Sequence, residues 1–306
     1  MEVRQLQTLI AVAEHGTFSA AARSLHTVQS NVSTHIAKLE QELNVTLVDR
    51  SLGKLTAEGE VVVARARRIA AEMEALASDV ASMTSEVAGH VHLGMIGTTG
   101  RWLTPHFLDE MADTHPAVSI VLTEATTASL LPQLMTGQVD LSVVNLPLRD
   151  ADIGVRALFD EDLLVIAPTD HPLAHLGPSV SFTELARHRL VLGPQGSALR
   201  HELDTAAAAA GVQLQTMAAI DGVRLVSTLA FQGYGPAIVP ATAIPRWAGP
   251  VKWVRVDIDE KPTRKVGLAI RRRGMLSAPA AAARDMIVHL IATNSAEETG
   301  VHPIGM

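Results

Sequence analysis

The chain contains no cysteine among its 306 residues, which excludes disulfide bonds, cysteine-ligated metals and a thiol redox switch. Aromatic residues make up 3% and charged residues 19% of the sequence, so the apolar mass is mostly aliphatic and suits helices and buried strands. The sequence has no run of about 18 uncharged apolar residues and no basic-then-apolar leader. We therefore expect a cytoplasmic protein with neither a membrane partner nor a cofactor.

The length and the charge limit the possible organisation. At about 100 to 200 residues per domain, the chain has room for two or three domains. A formal charge of −7 and a pI near 6.0 argue against a generally polycationic nucleic-acid binder. Any contact with DNA must therefore be confined to a local surface.

The amino-terminal residues predict three helices. Apolar residues recur at three-and-four spacing over residues 2–15, and Gly16 ends that helix. Thr17 is placed to cap a second helix that runs to Leu25, and Thr27 to cap a third over residues 28–43. The third helix has a predicted buried stripe of Val32, Ile36, Leu39 and Leu43. Opposite it lie Ser30, Thr34, Ala37 and Gln41, flanked by Gln29, Ser33 and Lys38.

This small, polar face suits a helix that enters a DNA groove. Glutamine pairs with adenine, serine and threonine bond base edges or phosphates, and alanine contacts the thymine methyl group. A solvated helix of a helical bundle is the alternative, because helix-turn-helix patterns also occur by chance.

Residues 45–55 predict two short strands around a tip, which is the pattern of a wing. Arg23, Lys38, Arg50 and Lys54 are placed to hold phosphates on either side of the groove. Residues 1–58 nevertheless carry five basic and six acidic side chains, a net charge of −1, so one copy should bind DNA only modestly.

The next segment predicts a long helix that pairs with a second copy. Its apolar residues alternate at steps of four and three, which is the heptad pattern of a coiled coil; they are Val62, Ala66, Ile69, Met73, Leu76, Val80 and Met83. A dimer would present two recognition helices to one duplex and compensate for weak single-site binding. The alternative is that this stripe packs against the core of its own chain.

The ordered string from Phe18 to Gly59 resembles the signature of LysR-type transcriptional regulators. The matching parts are Ala21-Ala22, Gln29 to Ser33, Leu39 to Leu43, Arg50, Leu55-Thr56 and Gly59. The DNA-binding residues predicted from the helix, the wing and this resemblance are Arg23, Thr27, Gln29, Ser30, Asn31, Ser33, Thr34, Lys38, Arg50 and Lys54. The chain departs from the family pattern at Thr34, Val48 and Glu58, and its wing is about two residues shorter, so we expect an altered phosphate grip.

From Gly89 onward, apolar runs alternate with helical stretches, which predicts an open and mostly parallel α/β sheet. The expected fold is an α/β protein with an N-terminal all-α winged helix-turn-helix (residues 1–58), a dimerising linker helix (59–88) and an effector-binding domain (89–306). The resemblance implies an effector domain similar to periplasmic solute-binding folds. Its first subdomain would cover residues 89–160 and 266–306 and its second 161–265, with the ligand between them.

Candidate effector residues follow from the rule that open α/β sheets bind ligands beyond the carboxyl ends of strands, where helices begin. They are Thr98, Thr99, Gly100, Thr126, Thr127, Asn145, Ser197 and Asp221. Helix capping alone is the alternative for each threonine and serine. The amide-rich turns favour a small organic anion as the ligand.

The sequence predicts no catalytic residues and no metal site, because it lacks the Gly-x-Ser-x-Gly, His-Glu-x-x-His, Walker and Gly-x-Gly-x-x-Gly motifs. His171 and His175 bracket Pro172 in a predicted loop and make a poor ligand pair. A solute-binding protein is the alternative function, but it would need neither the heptad helix nor the helix-turn-helix. The resemblance further implies promoter DNA, a homodimer or homotetramer, and RNA polymerase as partners.

Overall fold

The structure, a computed structural model, describes residues 1–83, 86–245, 252–295 and 299–305. Three helices, a two-stranded wing and a long helix form the amino-terminal part. They are α1 (Val3–His15), α2 (Phe18–Ser24), α3 (Gln29–Leu43), β1 (Val48–Asp49), β2 (Lys54–Leu55) and α4 (Ala57–Ser82).

Local sequence explains where the first helices begin and end. Gly16 ends α1 in the left-handed conformation, at φ 70°, which glycine adopts without strain. The hydroxyl of Thr17 accepts a hydrogen bond from the backbone N–H of Ala20 and so caps α2, as predicted. Leu9, Ile36 and Leu39 are fully buried where the three helices meet, and each stabilises the fold by about 1.5–3 kcal/mol.

The long helix α4 completes this first core. Thr56 accepts a hydrogen bond from the N–H of Gly59 and caps the helix. Gly59 lies so close to the Leu47 carbonyl that a Cβ would come within 2.1 Å of the oxygen. Val63 and Ala66 are buried with the residues of α1 and α3. The amino-terminal third of α4 therefore belongs to the helix-turn-helix core.

The carboxy-terminal part consists of two α/β subdomains. Subdomain I contains β3 (Gly89–Met95), α5 (Gly97–Thr114), β4 (Val118–Glu124), α6 (Thr127–Thr136), β5 (Leu141–Leu146), β12 (Thr263–Arg271), α10 (Ala278–Asn294) and β13 (Val301–Pro303). Subdomain II contains β7 (Ser179–Val180), α7 (Phe182–Leu185), β8 (Arg189–Leu192), α8 (Ala198–Ala209), β9 (Gln215–Ala219), α9 (Val223–Phe231), β10 (Ala237–Pro240) and β11 (Trp253–Ile258). Strand β6 (Ile153–Pro168) runs through both.

The strand order is β4-β3-β5-β12-β6 in subdomain I and β6-β10-β8-β9 in subdomain II. β3 pairs parallel with β4 and β5, and β8 pairs parallel with β9 and β10, as the alternation of strands and helices predicts. The strands that cross between the subdomains pair antiparallel, with Thr263 of β12 opposite Asp162 of β6.

Several local predictions were wrong. Val28, not Thr27, is the N-cap of α3, and its side chain makes no capping bond. Leu43 is 38% exposed and not part of the buried stripe. Thr98, Thr99 and Gly100 do lie beyond the end of a strand where a helix begins, in the first turn of α5. None of the described helices combines the length and the apolar composition of a membrane span.

Candidate functional site

The recognition helix α3 exposes the polar face that its periodicity predicts. Ser30, Thr34, Ala37 and Gln41 are all exposed, whereas Val32, Ile36 and Leu39 are buried. Of the flanking residues, Gln29, Asn31 and Lys38 are exposed and Ser33 is half-buried.

Hydrogen bonds within the helix-turn-helix already orient some of these side chains. The Ser19 hydroxyl donates to Gln29 Oε1 at 2.8 Å, which joins α2 to the start of α3. Thr27, which does not cap α3, accepts a bond from Asn31 Nδ2 at 2.9 Å. The Thr34 hydroxyl donates to the Ser30 carbonyl at 2.8 Å, so Thr34 presents its methyl group and an acceptor oxygen outward.

The wing is tied to the recognition helix by one carboxylate that the sequence did not reveal. Glu40 of α3 accepts hydrogen bonds from the backbone N–H groups of Leu47 at 2.8 Å and Val48 at 3.2 Å. Its second oxygen lies 3.4 Å from Arg50 Nη2. Because one half-buried side chain holds both the start of β1 and the first cation of the wing, the wing keeps a defined position beside α3.

The apolar stripe of α4 divides into two parts. Val62 and Ala66 pack into the helix-turn-helix core of the same chain, as the alternative interpretation had it. The remaining five are exposed: Ile69 by 40%, Met73 by 47%, Leu76 by 67%, Val80 by 58% and Met83 by 85%. Five apolar side chains on one helix face form a surface of the kind that marks a protein–protein contact.

The opposite face of α4 packs on subdomain I. The Asp79 carboxylate accepts a hydrogen bond from the backbone N–H of Ala278 at 2.7 Å, and so satisfies a free amide at the start of α10. Between α1, α4 and subdomain I lies a cavity of about 320 Å³, whose walls include Glu14, Glu74 and His92.

The surroundings of His92 in this cavity should make the stability of the fold depend on pH. Its interaction with the Asp140 carboxylate, 3.8 Å from Nδ1, raises the pKa of His92 above 6.5; burial opposes this and Glu74 adds to it. A raised pKa stabilises the fold fully below pH 6.5, and the contribution disappears as the pH rises through the folded-state value. His92→Gln should therefore cost more stability at about pH 5.5 than at about pH 8.5 in urea unfolding. His106→Gln, at an exposed histidine of α5, is the control, and equal losses at both pH values would contradict the prediction.

A buried ion pair lies where the chain crosses between the subdomains. Arg264 Nε donates to Glu161 Oε2 at 2.7 Å, and the two side chains are 2% and 0% exposed. Glu161 also accepts from the backbone N–H of Thr242 at 2.6 Å, and Arg264 Nη2 donates to the Thr98 hydroxyl at 2.5 Å. Burial raises the pKa of nearby Glu202, and the positive charge of Arg264 partly offsets this. The network links β6, β12 and α5.

Beside Thr98 opens a cavity of about 490 Å³ between α5 of subdomain I and α9 of subdomain II. Its lining includes three cationic residues and an aromatic pair, but no acidic residue among those described: Thr98, Arg101, Arg224, Ser227, Thr228, Phe231, Gln232, Ala243, Pro245, Lys252 and Trp253. Arg101 donates to the carbonyl groups of Thr242 and Ile244, and Arg224 forms an ion pair with Glu124 of β4. These contacts join the two subdomains.

Of the eight predicted effector residues, Thr98 lines this cavity and the other seven do not. Thr99 and Gly100 are buried, and Thr126 caps α6. Thr127 Oγ1 accepts a bond from the backbone N–H of Asn145 at 3.1 Å, so the structure brings that pair together. Ser197 is the N-cap residue of α8, but its hydroxyl donates to the Pro194 carbonyl and makes no capping bond. Asp221 is exposed before α9.

The sequence did not single out Arg101, Arg224 or Lys252. Arg101 lies three residues after the predicted Thr98, and Arg224 lies three residues after Asp221. Basic residues one helical turn beyond a predicted ligand turn would have been the signal, because a helix places such a side chain next to the same opening.

Comparison with known protein families shows which family this chain belongs to. The pattern described as "Bacterial regulatory helix-turn-helix protein, lysR family" matches residues 3–60, and the "LysR substrate binding domain" matches residues 84–291. The chain belongs to the LysR family.

Individual relatives of this LysR regulator agree with that assignment. OxyR of Escherichia coli K12, a DNA-binding transcriptional dual regulator, is 32% identical over 276 residues, which cover 89% of this chain and 90% of the relative. A cysteine-to-aspartate variant of full-length OxyR from Pseudomonas aeruginosa superposes with a TM-score of 0.74 at 25% identity, covering 96% and 95% of the two chains. Full-length CbnR in complex with its target DNA gives a TM-score of 0.71 at 24% identity, covering 95% and 100%.

The chain is thus a LysR-type DNA-binding transcriptional regulator with an effector-binding domain, and not an enzyme. Several relatives are hydrogen peroxide-inducible genes activators. A cysteine-based peroxide switch is nevertheless unavailable to this LysR regulator, because its sequence contains no cysteine.

Proposed function

We propose that two copies of the chain pair through the exposed stripe of α4 and place two α3 helices in successive major grooves of promoter DNA. The observation that carries this is the division of the α4 stripe, which leaves Ile69 to Met83 exposed after the helix-turn-helix core is complete. Two helices with such stripes bury them against each other in a coiled coil. The half-sites would then lie about one helical turn, or a multiple of it, apart.

Base reading is assigned to the first two turns of α3 and phosphate binding to the residues around it. Gln29, Ser30, Asn31, Ser33 and Thr34 lie where a recognition helix contacts base edges. Arg23, Thr27, Lys38, Arg50 and Lys54 surround them and are proposed to hold the backbone. The DNA-binding domain would cover residues 1–58, the linker helix 59–88 and the effector domain 89–306.

Gln29→Ala is expected to weaken binding to the operator by about 5- to 150-fold, because a bidentate side chain–base pair contributes about 1–3 kcal/mol of discrimination. Gln29 is exposed, so thermal stability should not change. Gln41→Ala is the matched control: it is the same substitution, at an exposed position near the carboxyl end of the same helix. Equal affinities of Gln29→Ala and wild type in a gel-shift titration would remove Gln29 from the base-reading set.

We propose that the effector is a small organic anion held between the two subdomains. The charge of the 490 Å³ cavity supports this, because Arg101, Arg224 and Lys252 line it and no acidic residue does so among those described. Two of the predicted effector residues, Thr99 in α5 and Asn145, which lies within β5 and not after it, have buried oxygens (Oγ1 and Oδ1) without a hydrogen-bond partner among the described residues. A carboxylate would gain charge-assisted hydrogen bonds from the arginines.

Calorimetry tests the anion proposal on the full-length protein. Organic acids should bind, and Arg101→Gln should weaken them more than Lys265→Gln, at a half-exposed lysine outside the cavity lining. Heat from neutral or cationic metabolites, with none from any organic acid, would contradict the proposal.

Effector binding would close the two subdomains and change how paired effector domains pack, and so change the spacing of the recognition helices. Identical footprints with and without a bound effector would contradict this mechanism.

We place the regulator in the cytoplasm, where it would act as a dimer or a tetramer and in contact with RNA polymerase.

A further inference from the structure

The tip of the wing carries a large apolar side chain that the proposed DNA contacts do not use. Leu52 is 69% exposed, whereas Leu47 and Val48 at the start of the same hairpin are 0% and 1% exposed. A single exposed leucine needs no explanation on an ordinary surface. This one stands at the apex of an element that flanks a recognition helix.

The tip is built by local hydrogen bonds and does not depend on Leu52 for its shape. The Asp49 carboxylate accepts from the backbone N–H groups of Ser51 at 2.8 Å and Leu52 at 3.2 Å, and from the Ser51 hydroxyl at 2.6 Å. Gly53, at φ 65°, donates its N–H to the Asp49 carbonyl at 2.8 Å and closes the turn. The bond from the Ser51 hydroxyl, followed by those from the two backbone N–H groups, lowers the pKa of Asp49 below its ordinary value. A preformed turn presents its apex with little loss of conformational entropy.

The surroundings of Leu52 favour DNA as its binding partner. Exposed cations stand on both sides of it along the hairpin, Arg50 before and Lys54 after. The hairpin is continuous with the recognition helix through Glu40, which binds the backbone of Leu47 and the guanidinium of Arg50. Phosphate contacts fix the orientation of a protein on the duplex, so two cations that bound phosphates on either side of a groove would hold the side chain between them over that groove.

We propose that Leu52 enters the minor groove beside the major groove occupied by α3 and wedges against a base step. Apolar side chains inserted in this way unstack the step and kink the duplex. The cost depends on the sequence that is deformed and is smallest at pyrimidine–purine steps. Leu52 would therefore impose a preference for a deformable step through shape, without a hydrogen bond to any base. This inference rests on the proposed docking of α3.

The test uses the full-length protein and a duplex selected with it from a random DNA pool. Leu52→Ser removes the wedge and keeps the turn, because the bonds at the tip come from Asp49 and the backbone. We expect about tenfold weaker binding of that duplex, and a bend smaller by tens of degrees in a circular-permutation assay. Leu52→Met, which keeps an apolar side chain of similar size, should bind and bend like wild type.

Two further measurements separate a wedge from a phosphate contact. Leu52→Ser should leave the slope of log affinity against log salt unchanged, whereas Arg50→Gln should reduce its magnitude by about one. Replacing the pyrimidine–purine step under the wing with a stiff A-tract should weaken wild type several-fold and Leu52→Ser little, since the coupling needs both partners.

The outcomes distinguish a failure of this inference from a failure of the proposed docking of α3, on which it rests. If no duplex is selected, the docking of α3 fails and the wedge with it. If wild type binds and Leu52→Ser binds and bends the duplex equally, the wedge alone is overturned. Loss of binding with a change of mass in sedimentation would assign Leu52 to contacts between protein copies and would also overturn the inference.

Discussion

Leu76→Glu is expected to separate the paired recognition helices and to lower operator affinity by about 100-fold or more, since avidity between linked sites amounts to about 10²- to 10⁴-fold. Leu76 is the middle residue of the five exposed apolar positions of α4 and is itself 67% exposed. Two glutamates facing each other in a coiled-coil seam would repel and would lose their hydration. With a charge of −1 over residues 1–58, a single copy has little electrostatic attraction to replace what pairing supplies.

Sedimentation and gel shift together check this expectation. The mass of Leu76→Glu should be half that of the wild-type assembly, while each chain stays folded because Leu76 is exposed in one chain. Leu176→Glu, at a 51% exposed leucine far from the stripe in sequence, is the matched control and should keep both mass and affinity. A variant at Leu76 that retains the wild-type mass would show that α4 does not form the pairing surface.

Arg264→Met is expected to destabilise the protein by about 3–5 kcal/mol, because it leaves the Glu161 carboxylate buried without a counter-charge. Glu161 is 0% exposed, so water does not solvate the charge that remains. For a domain of this size the loss corresponds to a melting temperature lower by about 6–20 °C. The Thr98 hydroxyl would lose the Arg264 donor, so the wall of the cavity between the subdomains should also become less ordered.

Calorimetric melting of three variants separates the cost of an unpaired buried charge from the cost of losing an ion pair. The double variant Glu161→Leu with Arg264→Met removes both charges and should recover much of the lost stability. Arg284→Met breaks an exposed pair with Asp285 and should cost no more than about 1 kcal/mol. If Arg264→Met and Arg284→Met have the same melting temperature, the region where the chain crosses between the subdomains does not depend on the Glu161–Arg264 ion pair for its stability.

The helix-turn-helix could be predicted almost entirely from the sequence, because its cues are local. The spacing of Leu9, Ile36 and Leu39 gave the right buried faces, and Gly16 and Thr17 marked the right boundaries. Thr27 was wrong as a cap because its hydroxyl bonds Asn31 and α3 begins one residue later than predicted. Thr27 and Val28 both precede α3, and only the backbone geometry shows which of them is the N-cap.

Strand β6 shows what periodicity misses. In the sequence only residues 163–167, an unbroken apolar run, have the pattern of a buried strand, whereas β6 extends from Ile153 to Pro168. Its middle contains Asp160, Glu161 and Asp162, a run of acids that is typical of a solvated loop. Glu161 nevertheless lies in the core, because Arg264, more than 100 positions later, supplies the opposite charge. No local pattern contains that information.

The sequence by itself determined which segments are helical, which face of α3 is polar, and that α4 carries an apolar stripe in need of a partner. It also excluded a thiol switch, since no cysteine is present. Only the tertiary structure decided how the stripe divides: the core of the same chain buries Ala66 and leaves Leu76 exposed. The tertiary structure likewise brought Arg101 and Arg224 to one cavity. A repeat of apolar residues measures how much surface must be buried, but the fold of the rest of the chain decides what buries it.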